Sequence, residues 1–226
     1  MADRTMKITV TPDGPYLVEG SVPMAEQIIV TDDEGNSVDW LQGESFETKG
    51  ACRLCRCGQS ANKPFCDGSH KRVSFDGTET ASREPYLAKA TRQDGPTVTL
   101  TDAARFCAFG RFCDVAGQVW NLVEQDGPDA AQLTVREASL CPSGRLVAWD
   151  RDSGEPIEPR FEASIGLVQD PAQGVAGPIW VRGGITIVGA DGEAYEERNR
   201  VTLCRCGASR NKPFCDGSHA SIGFTT

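Results

Sequence analysis

A run of 16 residues, CRCGQSANKPFCDGSH from Cys55 to His70, returns near the other end of the chain as CRCGASRNKPFCDGSH from Cys204 to His219. The copies agree at 14 positions and differ at Gln59/Ala208 and Ala61/Arg210. Each sets three thiols and one imidazole in a fixed order: Cys55, Cys57, Cys66 and His70, then Cys204, Cys206, Cys215 and His219. The chain has 2 histidines in 226 residues, and both close these runs. Soft donors used so sparingly and so regularly read as metal ligands. A chain with two such loops has to fold so that it presents two matching sites.

The likeness between the halves extends beyond the loops. GPYLVEG at 14–20 is similar to GPIWVRG at 177–183, and each lies upstream of a metal loop. After each loop an aliphatic residue and a phenylalanine recur at the same offsets, Val73/Phe75 and Ile222/Phe224. The unit that is duplicated is therefore a set of strands followed by a metal loop, with a different insertion between the copies. Short alternating runs at Lys7–Val10, Tyr16–Val18 and Gln27–Val30, separated by Pro-Asp-Gly and Asp-Asp-Glu-Gly turns, predict a small antiparallel sheet. Runs at Phe161–Val168, Ile179–Val181, Ile185–Val188 and Arg200–Leu203 predict the matching strands of the second unit. The polar stretches Gly77–Pro96 and Asp150–Pro159 read as joints. Between them lie β-prone TVTL, then CAFGRFC and VWNLV, and a helix predicted over Pro128–Cys141 with proline in its first turn. The expected fold is α+β and β-rich: residues 1–90 with the first loop, 91–152 as a small α+β insert, and 153–226 with the second loop.

Ten cysteines admit two readings. A secreted protein with five disulfides is one, but histidines at matching offsets have no place in it. The start MADRTMKITV has no apolar core for an export signal, and no run approaches the roughly 20 apolar residues of a membrane span. The expectation is a cytoplasmic protein whose cysteines are ligands or reactive thiols. A net charge of −9 with no basic cluster argues against nucleic-acid binding and suits docking on a basic redox partner. The carboxylates form no acid–base pair, and no glycine-rich phosphate loop or dinucleotide fingerprint occurs, so an enzyme is not expected.

Within each loop, Cys-x-Cys brings two thiolates together on a tight turn, and Cys66 with His70 offers a second pair. Asp67 is typed to cap the turn carrying His70. Gly58 and Gly68 would let backbone N–H groups approach bridging sulfides, and Ser69 and Ser218 would add hydroxyl donors that favour a reduced cluster. The flanking Arg56, Arg205, Lys63 and Lys212 read as solvated side chains, and Asn62 and Asn211 as local turn residues. Trp40, Trp120, Trp149 and Trp180 read as core or interface aromatics. Donor type and spacing leave zinc and iron–sulfur ligation both open.

The pattern CRCGxSxNKPFCDGSH resembles the CDGSH, or NEET, iron–sulfur family at each ligand position: Cys-x-Cys, then Pro-x-Cys-Asp-Gly-Ser-His. The resemblance implies one [2Fe–2S] cluster per loop, one iron on Cys55 and Cys57 and the other on Cys66 and His70, with Cys204/Cys206 and Cys215/His219 in the second. It also implies that the two units pair as a pseudo-dimer within one chain, a homodimer being the alternative. Thiolate-only [2Fe–2S] centres lie near about −400 mV and Rieske centres between about −150 and +300 mV, so one histidine implies an intermediate potential. The imidazole's free nitrogen implies pH-dependent potential and cluster retention.

Four cysteines remain. Cys107-x5-Cys113 with a distant Cys141-Pro142, and an apolar–aromatic pair at Val119-Trp120, are similar to small bacterial ferredoxins with a [3Fe–4S] cluster and to divergent single-cluster ferredoxin domains. The resemblance implies that Cys107, Cys113 and Cys141 hold a [3Fe–4S] cluster, or a [4Fe–4S] cluster. Structural cysteines in a domain without a cluster are the plain alternative. Cys52 reads as a bland or oxidisable thiol, with a fourth ligand to this centre as the sharper reading. Together these readings give a multi-cluster electron carrier working with redox partner proteins. Cluster storage, transfer or redox and pH sensing is the second reading, and a zinc-bound structural scaffold the third.

Overall fold

The computed structural model describes residues 6–48 and 50–226. The first unit contains β1 (Lys7–Val10), β2 (Tyr16–Glu19), β3 (Met24–Thr31), β4 (Ser37–Phe46) and β5 (Ala51–Leu54). The first loop follows and ends on the single-turn helix α1 (Ser69–Arg72). The helix α2 (Tyr86–Lys89) leads into the middle region: β6 (Thr91–Asp94), β7 (Val98–Asp102), α3 (Val119–Leu122), α4 (Pro128–Leu140), β8 (Leu146–Asp150) and β9 (Pro156–Ile157). The second unit holds β10 (Ser164–Asp170), β11 (Val175–Arg182), β12 (Thr186–Val188) and β13 (Arg200–Leu203), with α5 (Ser218–Ser221) closing the second loop. The fold is α+β and β-rich.

The alternating patterns become half-buried strands. In β1, Ile8 and Val10 are buried and Lys7 is exposed; in β2, Tyr16 and Val18 are buried. Proline stands at the start of α4, where its missing N–H is not needed. Both presumed joints carry structure: β6 pairs with β7, and β9 pairs with β8. Strand β4 was not legible as one, because its outward positions (Asp39, Leu41, Gln42, Glu44, Ser45) face solvent and dilute the apolar signal.

The described residues form three sheets, and two of them are shared between the units. The first runs β12-β1-β2-β5, and the second β13-β11-β10-β3-β4. In each unit the first two strands pair antiparallel, and the third crosses to the other unit: β3 lies parallel to β10, and β12 lies parallel to β1. Each loop hangs from a matching ladder, Tyr16↔Leu54 in one and Ile179↔Leu203 in the other, so the chain reproduces a two-fold arrangement by strand exchange. Buried residues of both units make one continuous core, with Ile8, Val10 and Leu54 beside Ile165, Leu167 and Leu203.

The third sheet, β6-β7-β8-β9, packs under α4 in the middle region. This region is fixed to both units. Trp40 of β4 stacks between Phe112 and Trp180, each ring centroid 4.8 Å away, and donates Nε1–H to the Leu140 carbonyl at 3.1 Å. Arg200 of β13, fully buried, donates to the carbonyls of Cys141, Ala138 and Leu146 at 2.8, 3.0 and 3.1 Å.

Candidate metal centres

Each loop is folded by the same backbone bonds. Cys55 N–H donates to the Pro64 carbonyl and Cys66 N–H to the Arg53 carbonyl, both at 2.8 Å; Cys204–Pro213 and Cys215–Thr202 repeat them at 2.8 Å. The Lys63–Pro64 and Lys212–Pro213 peptides are cis. Ser60 and Ser209 donate their hydroxyls across the loop to the carbonyls of Phe65 and Phe214 at 2.6 Å. Asp67 and Asp216 accept from the backbone N–H groups of Ser69 and Ser218 at 2.9 and 3.0 Å, and so order the turn that carries each histidine.

These scaffolds gather the donors in pairs. Cys55 and Cys57 Sγ atoms lie 3.8 Å apart, and Cys204 and Cys206 3.9 Å apart. In both loops the histidine Nδ1 lies 3.4 Å from the third sulfur, Cys66 to His70 and Cys215 to His219. A tetrahedral metal with bonds of about 2.3 Å to sulfur and about 2.0 Å to nitrogen needs donor separations of about 3.8 Å for S···S and about 3.5 Å for S···N. Each pair therefore has the bite for one metal atom, and each loop for two. Gly68 and Gly217 N–H groups donate to the Cys66 and Cys215 sulfurs at 3.4 Å.

The loops meet back to back. A Cβ on Gly58 would lie 2.4 Å from the Cys206 carbonyl oxygen, and one on Gly207 would lie 2.7 Å from that of Cys57. The glycine after Cys-x-Cys thus serves the contact between units, where approach to a sulfide was expected. The serines also differ from expectation: Ser218 donates its hydroxyl to Asp216 at 2.6 Å, and the Ser69 hydroxyl accepts from the Arg72 guanidinium. Arg56 and Arg205, read as solvated, are 1% and 4% exposed. Asn211, read as a local turn residue, reaches the Arg105 carbonyl in the middle region at 3.1 Å.

Two nearly identical loops end in unlike surroundings. The middle region covers the second: Phe106 packs edge-on against Phe214, and a Cβ on Gly217 would meet the Cys107 carbonyl oxygen at 3.3 Å. The Thr80 and Ala81 N–H groups donate to the Lys212 carbonyl at 2.8 and 2.9 Å, so the stretch read as a joint clasps this loop as well. His219 is 4% exposed, and burial pushes its imidazole down to about 4, against the pull of Asp170 and Asp216. It is therefore neutral, the form that ligates metal. His70 is half-buried and borders an open concavity of about 590 Å³ lined by Asp13, Lys71, Phe75 and Asp76.

Cys107, Cys113 and Cys141 come together around a small cavity of about 30 Å³, lined also by Arg111, Phe112 and Arg145. Cys107 follows a 3-10 turn, Cys113 lies in the next, and Cys141 is the first residue beyond α4. Burial, then Asp114, pushes the Cys113 thiol up to about 12. Arg145, held by Asp102 at 2.6 Å, supplies a fixed cation at the cavity wall. Among the described residues no three Cys, His, Asp or Glu side chains converge on a single ion. The three thiols line this one cavity, a donor set of the kind that polynuclear centres use. Cys52 lies elsewhere, on β5 opposite Val18 and against the main core, so the sharper reading of it as a fourth ligand is not met.

The family model described as iron-binding zinc finger CDGSH type matches residues 13–71 and 176–220, and that described as divergent 4Fe-4S mono-cluster matches residues 93–151. No curated protein matches the chain. Among the described residues no helix is long and apolar enough to cross a membrane.

Proposed function

We propose that this chain, an iron–sulfur protein with two CDGSH-type regions on either side of a divergent mono-cluster domain, is a non-catalytic electron carrier. The observation that carries this reading is the packing of the three sites into one body. The two loops touch through Gly58 and Gly207, and the Cys107 turn abuts Gly217 of the second. When bound, the clusters supply single-electron chemistry: a [2Fe–2S] at each loop, and in the middle a [3Fe–4S], with three thiolates from this chain, or a [4Fe–4S]. Cys55, Cys57, Cys66 and His70 hold one, Cys204, Cys206, Cys215 and His219 another, and Cys107, Cys113 and Cys141 the third. Rigid backbone ladders keep these donors in place, and the fixed Arg145 offsets anionic charge in the middle site.

Electron paramagnetic resonance of anaerobically purified protein, before and after dithionite, with iron and sulfide quantified, tests the proposal. A [3Fe–4S] signal in the oxidised sample and a [2Fe–2S] signal on reduction are expected. About four irons per chain and the reduced signal alone would make the middle region a docking or structural part. A colourless zinc protein from iron-replete anaerobic expression would overturn the redox reading.

A second reading, cluster donation or redox sensing, is favoured by the half-buried His70 beside its open concavity. Transfer of iron and sulfide to an apo-acceptor, selectively lost in His70→Cys, would support it.

A further inference from the structure

Arg56 and Arg205 occupy the same place in the two loops, between the thiols of Cys-x-Cys, and both are buried. Their partners differ. Arg56 donates Nε–H to the Gly14 carbonyl at 2.9 Å and an Nη2 hydrogen to that of Thr11 at 3.0 Å, and its guanidinium lies 5.2 Å from the Phe75 ring centroid. Its Nη1 alone is without a partner. The corresponding stretch of the second unit, Val175–Gly177, is not a free turn; it is drawn into strand β11. Arg205 consequently makes no hydrogen bond among the described residues, and its buried Nε and Nη1 are both unpartnered. Phe224 lies 6.0 Å from its guanidinium, a distant contact.

A buried guanidinium without acceptors is costly, and such an orphan marks a place where an anion belongs. The groups of acidic type that act on the Arg205 charge are Cys55 and Glu26, both of the first unit. Glu26 is already engaged by the Gln169 side-chain amide at 3.0 Å. The Cys55 sulfur belongs to the first loop, which packs on the backbone next to Arg205 where Gly58 meets the Cys206 carbonyl.

We propose that Arg205, carried by the second loop, is the charge and hydrogen-bond partner of the centre held by the first, and sets that centre's potential apart from its twin's. The proposal rests on the first loop being a cluster site. A cation with free N–H donors favours the more negative, reduced form, so Arg205 raises the potential of the first centre. Arg56, tied to backbone carbonyls, has less to give the second. Arg205 is a positioning residue, acting across the interface between the units.

The test is a potentiometric titration followed by electron paramagnetic resonance on native protein, Arg205→Gln and Arg205→Lys, with His70→Cys identifying the signal of the first loop. In Arg205→Gln the reduced-to-oxidised ratio of the first centre at a fixed potential should fall about tenfold, about 59 mV for one electron. The second centre should titrate as in native protein, and Arg205→Lys should fall between. Selective loss of iron from the first loop in Arg205→Gln, with the second retained, would report the same dependence. An unmoved first centre, equal displacement of both centres, or loss of both in both variants would overturn the proposal. Absence of any [2Fe–2S] signal from native protein is a different result, and would overturn the cluster reading beneath it.

Discussion

His70 and His219 follow the same eight residues, NKPFCDGS, yet one is half-buried and the other nearly sealed. An iron chelator should therefore strip the chain in two phases, with the first loop emptied faster; a single rate in the visible absorbance would contradict this. Glu137 illustrates the same dependence on surroundings. It lies on the buried face of α4, one turn before Cys141, with both carboxylate oxygens unpartnered. Burial, and Asp114 nearby, raise its carboxyl to about 7. The folded chain thus binds this proton more tightly than the unfolded chain, so stability is greatest below about pH 4.5 for this group and falls as pH rises to about 7. Glu137→Gln should flatten that fall and be more stable than native protein at pH 8, by roughly 2 kcal/mol, as denaturant titrations at pH 5 and pH 8 would reveal. The grouping of thiols and imidazole in each loop was legible because donor type and spacing are local properties. Burial of Arg56, Arg205 and Asn211 was not, since what covers each is distant in sequence: Thr11 and Gly14 for Arg56, the first unit for Arg205, and Arg105 for Asn211.

The glycines of the loops separate two demands that look alike in sequence. Gly58 and Gly68 both have positive φ, 75° and 87°. Around Gly68 there is open space, whereas a Cβ on Gly58 would collide with the backbone of Cys206. Gly68→Ala should cost only the left-handed backbone preference, about 1 kcal/mol, and Gly58→Ala about 3 kcal/mol or more because the facing loop must move as well. Thermal unfolding of the two variants checks the order, and equal losses would mean that the loops do not press on each other. Strand positions followed from period-2 alternation where one face is buried, as in β1 and β13, both of which fall on the expected residues. The pattern says nothing of partners, so the crossing of β3 and β12 between units could not be read from it. Polar β4 and the short β6 and β9 also escaped, because edge strands need little apolar surface.

At the scale of the molecule, internal duplication announced two like units, and the structure makes them unequal. The inserted region sits on the second loop, through Asn211, Phe214 and Gly217, and leaves the first loop open on its His70 side. A protein of this shape has an inner and an outer end although its sequence is nearly symmetric at the ligands. Strand exchange has a further consequence, in time. Lys7 of β1 waits for Thr186, and Met24 of β3 for Ile165, so the earliest strands made are completed by some of the last. Pairings this distant in sequence form slowly. During synthesis the first ligand set will leave the ribosome well before the strands that brace it, and before Arg205 exists to face it. Metal delivered at that stage would meet a nascent chain with open sheet edges, so loading of the first loop belongs after the second unit has been made and paired with it.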